Sequence, residues 1–169
     1  MKNLKKFLPF ISCAMMVLAI VMFFLPFVGF EVSSGSAKAT ASFSGFQAAF
    51  GAENVAYSFK VMGVTISGKA TTKLVAVDLV AFILVVLAAA AWVVNFVVKT
   101  NFVKLIKICI AVMLVVAGVL MFTSQAGLVA ANEINENAAK AYSIGAGAVI
   151  GGIFALLGGC AECAQVVLK

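Results

Sequence analysis

The sequence predicts an integral membrane protein, mainly α: a four-transmembrane-helix bundle with a small extracellular antiparallel β-sheet in its first outer loop. Three observations carry this. The chain holds four long apolar runs, Phe7 to Phe30, Leu74 to Val98, Ile108 to about Ala131, and Ala141 to Ala161, and about 20 apolar residues suffice for one bilayer crossing. Its 169 residues are 64% hydrophobic with a mean hydropathy of +1.19, too little polar surface to cover a water-soluble globule. The one long polar stretch changes from helical to alternating periodicity. Spans are therefore expected at about 7–30, 74–98, 105–128 and 139–163, with a β lobe over 31–73, in one membrane domain covering 1–169.

The first run follows a basic start and resembles a secretory signal, but such apolar cores run about 7 to 15 residues, and this one continues for 24. An uncleaved span is expected. Ile11-Ser12-Cys13 has the look of a lipoprotein processing site, yet Ala14 to Phe30 is still membrane-like where a polar tether would begin.

The net charge of +6 raises the question of a polyanionic partner, so the placement of the lysines decides more than their number. Lys2, Lys5 and Lys6 precede the first span, Lys99, Lys104 and Lys107 bracket the turn between the second and third, and Lys169 ends the chain. Lys38, Lys60, Lys69, Lys73 and Lys140 spread over longer loops and are nearly balanced by Glu31, Glu53, Glu133 and Glu136. Lysine density points both termini to the cytoplasm of a multi-pass plasma-membrane protein. That asymmetry accounts for the basic excess, and no nucleic-acid partner is expected. Without Arg or His, the chain also lacks forked phosphate ligands and the usual neutral-pH acid-base group.

In the outer lobe, Ser36 to Phe43 alternates as a half-buried strand. Gly45 to Gly51 reads as one or two helical turns laying Phe46 and Phe50 on the sheet or the membrane surface. Tyr57, Phe59 and Val61, then Val64 and Ile66, predict a hairpin turning near Met62-Gly63. About three strands result, and so small a sheet needs support from the outer helix ends. Phe46, Phe50, Tyr57 and Phe59 are its expected contact residues.

The third loop reads as helical, with Asn132 as N-cap, Glu133 and Glu136 in the first turn, and Lys140 four residues beyond Glu136. The fourth helix is then expected to begin near Glu133. A calcium site from Glu133, Asn135, Glu136 and Asn137 has too few converging carboxylates, so no metal and no cofactor is expected.

Within the fourth span, Gly145, Ala148, Gly152, Ala155 and Gly159 form a seam without side-chain bulk, and Gly147 with Gly151 adds a GxxxG step on a neighbouring face. The seam serves either contact with a helix of the same bundle, such as Ala88 to Ala91, or self-association of protomers. Asp78 lies near the start of the second span, where an interfacial anchor is expected. A cation or proton site would need it deeper, with polar partners from other helices, and only Asn95 and Gln125 are available, near the opposite end or rim; Asn95 is expected to bond a neighbouring backbone. Cys13 and Cys109 read as buried apolar thiols. Cys160 and Cys163 form a CxxC pair, a redox motif in principle, but it falls at the cytoplasmic end and no outer cysteine exists to act as the second dithiol. Acylation or a packed pair is expected instead.

Four helices, both ends inside, a sheet-like first outer loop, a short second one and cysteines after the fourth span resemble the claudin and peripheral-myelin-protein group in layout. The Gly-Leu-Trp pattern and the loop cysteines of that group are missing, and Trp92 lies near the inner end of the second span. Leu25-Pro26-Phe27 and Ser44-Gly45-Phe46-Gln47 are more similar to small four-span proteins of Gram-positive bacteria. The claudin likeness implies barrier or adhesion roles. Three classes follow: a non-enzymatic assembly, adhesion or accessory subunit that binds copies of itself or another membrane protein through its outer β lobe and glycine-rich fourth helix, which is the expectation adopted; an oligomeric channel, for which no polar stripe argues; and a thiol oxidoreductase using Cys160 and Cys163.

Overall fold

A computed structural model describes residues 2–97 and 102–167, the side chains of residues 2–6 and 54 excepted. Val98, Lys99 and Lys169 and the side chains of Lys2, Lys5 and Lys6, used above for span limits and orientation, lie outside the described residues.

The chain runs α1 (Lys2–Met22), β1 (Pro26–Ser34), β2 (Ala37–Ser44), α2 (Gly45–Phe50), β3 (Ala52–Val61), β4 (Val64–Thr72), α3 (Ala76–Val97), α4 (Val103–Phe122), α5 (Ser124–Ala131), α6 (Glu136–Ala139), β5 (Tyr142–Ile144) and α7 (Ala146–Val167). Among the described residues three helices, α3, α4 and α7, are long and apolar enough to cross a membrane. Val80, Val93, Leu105, Val112, Val119 and Ile153 face outward from them, an apolar surface of the kind that lipid covers, which points to a membrane protein.

The first apolar run divides. Its helix ends at Met22, and Pro26 to Phe30 are already strand, so the expected span over 7–30 shrinks to an apolar helix over Phe7–Met22. Pro26 has no N–H to continue a helix. Phe27 and Val28 are nevertheless fully buried, in a core with Phe23, Val55 and Val75. Buried strand and buried helix are equally apolar, which is why hydropathy ran them together.

The sheet has five strands rather than about three, ordered β4-β3-β2-β1-β5. The predicted hairpin turns at Met62 and Gly63, with φ of 47° and 85°, the left-handed pair that a two-residue turn between twisted strands requires. Each hairpin returns to the helix ends, so its tip, Gly35 or Met62-Gly63, is remote from them. Antiparallel partners share a face. Phe30, Ala41 and Tyr57 stand in one row, and Val32, Ala39, Phe59 and Ile66 in the next toward the tips. The opposite face carries Glu31, Thr40, Ser58 and Ser67, with Lys38 directly across from Lys60.

The third loop differs from expectation. Asn132 closes α5 instead of opening a helix; its Oδ1 accepts the Lys73 N–H at 3.1 Å, and its Nδ2 donates to the Leu128 carbonyl at 2.9 Å. The N-cap is Asn135, accepting the Ala138 N–H at 2.9 Å, and the four-residue α6 gives way to β5, which pairs with β1. The last long helix therefore starts at Ala146 and not near Glu133. Gln125 donates to the Tyr142 carbonyl at 2.7 Å, and Lys73 meets Glu133 at 3.1 Å, tying this loop and β5 to α5 and to the connection between β4 and α3.

Candidate functional site

Two regions have side chains arranged for something beyond holding the fold. The first is the apolar face of the sheet. Near the helices it is covered: Val28, Phe43 and Val55 are buried under the ends of the bundle together with Leu128 of α5. Toward the hairpin tips nothing among the described residues covers it. Met62, Val64 and Ile66 are 84%, 64% and 54% exposed, and Val32, Tyr57 and Phe59 are exposed as well. Between covered and open halves lies a groove of about 180 Å³ lined by Phe30, Tyr57 and Tyr142 among others. Burial pushes the Tyr142 hydroxyl above its ordinary pKa of 10.0, because the charged phenolate is the form that loses solvation. β4 is also an edge, with one side of its backbone unpaired along its length, the usual template for an added strand.

Of the four expected lobe contacts, Tyr57 and Phe59 belong to this face, and the Tyr57 ring occupies the space over Gly68. Phe46 and Phe50 do not. The Ser44 capping box turns the chain into α2, with Gln47 N–H on Ser44 Oγ at 3.2 Å and Ser44 N–H on Gln47 Oε1 at 3.0 Å. That places both rings against the helices: Phe46 stacks on Phe24 at 5.9 Å, and Phe50 meets Phe82 edge-on at 5.6 Å. They fasten the sheet to α1 and α3 instead of resting on it.

The second region lies at the opposite end of the bundle. Glu162 of α7 is fully buried; its Oε1 accepts from Gln165 Nε2 at 3.2 Å, and Gln165 Oε1 accepts from Lys107 Nζ at 2.5 Å. Buried Ser12 donates to the Gly158 carbonyl one turn away at 3.5 Å. Asn95, expected to bond backbone, leaves its buried Oδ1 without a donor among the described residues. In the amino-acid sequence Glu162 stands as a mere spacer within the Cys160–Cys163 motif. A signal was present: Glu162 follows Ala155 by seven residues and Gly159 by three, on the seam's own face.

The seam itself is consumed within the chain. Side chains added at Gly147 and Gly151 would meet Met22 of α1, and at Gly152 and Gly159 would meet the Gly118 and Ala111 carbonyls of α4. Gly145 abuts the Pro26 carbonyl, and Ala148 and Ala155 are buried. The partners are α4 and the α1–β1 corner, not Ala88 to Ala91, of which Ala88 packs with Met16, Ile110 and Leu114. Both small faces of α7 are thus occupied, one per neighbour.

Asp78 is no interfacial anchor. It is fully buried, and its Oδ2 accepts from Ser124 Oγ at 2.8 Å while Oδ1 has no donor among the described residues. Gly127 admits Val75, just before α3, and Val77 of α3 to within about contact distance, and this close approach of α5 brings Ser124 over the carboxyl. Gln125 turns to Tyr142 instead. All four cysteines are free; Cys109, Cys160 and Cys163 are exposed and Cys13 is half-buried. Neither the packed CxxC pair nor the buried Cys109 is what the structure builds. Among the described residues no group of three or more His, Cys, Asp or Glu side chains could hold a metal ion.

No protein-family model matches this chain, and no curated protein is similar to it in sequence.

Proposed function

We propose that the chain is a non-enzymatic, four-span protein of the plasma membrane, with both termini in the cytoplasm, that acts as an assembly, adhesion or accessory subunit through its outer sheet. The observation that carries this reading is the uncovered distal half of the sheet's apolar face. Strand residues Val32, Phe59, Val64 and Ile66 alternate correctly for burial yet stay exposed. A contiguous apolar surface held away from the membrane on a rigid sheet marks an interaction site. The unpaired edge of β4 adds main-chain hydrogen bonds to what a partner strand would gain.

The fourth crossing is assigned to α1. Its apolar stretch, Phe7–Met22, is shorter than an ordinary span, but its packing against α7 along Gly147, Gly151 and Gly158 supports a crossing beside a membrane-length neighbour. Orientation follows from lysine density. The claudin-like layout belongs to the same proposal and contributes no residue to it.

The test is the mass of the purified protein in mild detergent, with whatever accompanies it. A complex larger than one chain is expected, and Ile66→Lys, at an exposed position, should return it to a folded monomer. A strict monomer for the unsubstituted chain overturns the assembly role. Labelling of Lys60 and Lys169 from the same face of intact cells overturns the orientation.

A further inference from the structure

At the end of the bundle opposite the sheet, a cleft of about 230 Å³ opens between four helices, lined by Phe10 of α1, Trp92, Asn95 and Phe96 of α3, Lys107 of α4 and Gln165 of α7. Lys107 is the charged group of this lining. One of its ammonium hydrogens goes to Gln165, and Gln165 in turn is held by fully buried Glu162, so the lysine is fixed in place with two donors that no acceptor among the described residues takes up. Glu162 stands behind Gln165 and does not line the cleft. Asn95 brings a buried acceptor, Oδ1, that no donor among the described residues satisfies. Trp92 and Phe96 stack with ring centres 5.4 Å apart, and Phe96 and Phe10 extend the wall outward onto the exposed surface of the helices.

These groups select a ligand by three separate features. A fixed ammonium with free donors takes an anion such as phosphate. An orphaned amide oxygen takes a hydroxyl. Aromatic rings at the end of an apolar bundle sit at headgroup depth and continue into hydrocarbon, and basic pockets between helices near a membrane surface are suited to anionic headgroups.

We propose that this cleft is a headgroup site for an anionic glycerophospholipid bearing a hydroxyl, phosphatidylglycerol being the simplest. Its phosphate meets Lys107, its headgroup hydroxyl donates to Asn95 Oδ1, and its acyl chains leave past Phe96 and Phe10. Free phosphate shares the anion chemistry but leaves Asn95 and the rings unused. The assignment rests on the helices crossing a bilayer and is independent of what the outer sheet binds.

Trp92 is the single tryptophan of the chain and forms part of the cleft wall, so it reports occupancy. The full-length protein is placed in phosphatidylcholine bilayers, and brominated-chain phosphatidylglycerol or brominated-chain phosphatidylcholine is titrated in while Trp92 emission is followed. Phosphatidylglycerol should quench at a mole fraction about fivefold lower, the factor that one lysine at a lipid surface supplies. Lys107→Gln should abolish the preference and Lys107→Arg keep it. Lys107→Gln with Glu162→Gln, which leaves no buried charge alone, should also lose it while remaining folded. Lys104→Gln, at an exposed lysine one turn away, should keep it. Asn95→Leu should lose the discrimination between phosphatidylglycerol and phosphatidic acid.

Equal quenching by the two lipids overturns the site and leaves the bilayer reading standing. Quenching by neither overturns both. A loss for Lys104→Gln as large as for Lys107→Gln reassigns the effect to diffuse surface charge, and relief of quenching by millimolar inorganic phosphate reassigns it to a soluble anion. Either result overturns the proposal.

Discussion

The two ends of α7 are built differently, although the same glycine-rich pattern runs through both. At the sheet end, Gly147 lies against backbone: a methyl group there would stand 2.9 Å from the Met22 and Pro26 carbonyl oxygens and 3.0 Å from the Leu25 carbonyl carbon. At the other end, Gly158 meets side-chain carbons of Leu114 and Met15 at 3.4 Å, an ordinary contact. The buried carboxyls follow the same division. Asp78, near the sheet, has a short bond from Ser124, whereas Glu162 reaches a lysine through an intervening amide and stands beside a cleft. Small residues alone do not define a packing site; what they touch decides whether the contact can yield. On the side facing α1, the sheet end is closed by immovable backbone and the far end is left adjustable, while on the side facing α4 Gly159 still meets the Ala111 carbonyl.

The sharpest way to break this contrast is Gly147→Ala. Carbonyl oxygens of the α1–β1 corner cannot rotate away, so the change should cost about 3 kcal/mol or more, at the upper end for overpacking, read as a fall in the unfolding midpoint in mixed detergent. A loss below about 1 kcal/mol would show that the corner moves and that the sheet end is not the rigid one. Lys107→Ala comes next. Stranding a buried carboxylate by removing its cationic partner costs about 3–5 kcal/mol, and the intervening Gln165 should keep the loss near the lower figure. Glu162→Gln in the same chain should recover most of it in a double-mutant cycle, and no recovery would mean that the two charges do not communicate.

Ser124→Ala removes the one hydrogen bond to Asp78 and should cost about 1–3 kcal/mol, the usual penalty for a buried polar group left without a donor. Asp78→Ala in the Ser124→Ala background should then add little. The smallest effect belongs to Gly158→Ala, where the loose contact is offset by the roughly 1 kcal/mol that alanine gains over glycine inside a helix. A midpoint unchanged or slightly raised is expected, and a large loss there would erase the difference between the two ends.

Much of this was legible in the amino-acid pattern, and unevenly so. The hairpin at Met62-Gly63 and the helix beginning at Gly45 could be read because alternation and flanking glycines are local signals. Strand β1 was hidden because Pro26 to Phe30 is as apolar as the helix before it; Pro26 was the one available cue. Strand β5 is three residues long, below the length at which alternation can be counted, and its existence depends on β1 lying alongside. The glycine seam was visible as a seam, but which helices fill it is a property of the whole arrangement. Asp78 was noticed for its chemistry while Ser124 was not, since a hydroxyl in an apolar run looks incidental until a helix break at Thr123 redirects it. Glu162 drew no notice because a cysteine stood on either side of its neighbours.

The pairing of β5 with β1 has a consequence for how the molecule is made. Tyr142–Ile144 joins a strand more than a hundred positions earlier, and the slot that receives α1 is cut by glycines of the final helix. During synthesis the first hairpin leaves the ribosome with one flank bare and the first helix without its permanent neighbour, and both wait until β5 and α7 have emerged. The early segments are therefore the ones most dependent on insertion machinery to shield them, and a premature stop anywhere before α7 would leave the amino-terminal part, rather than the missing tail, as the portion that cannot settle.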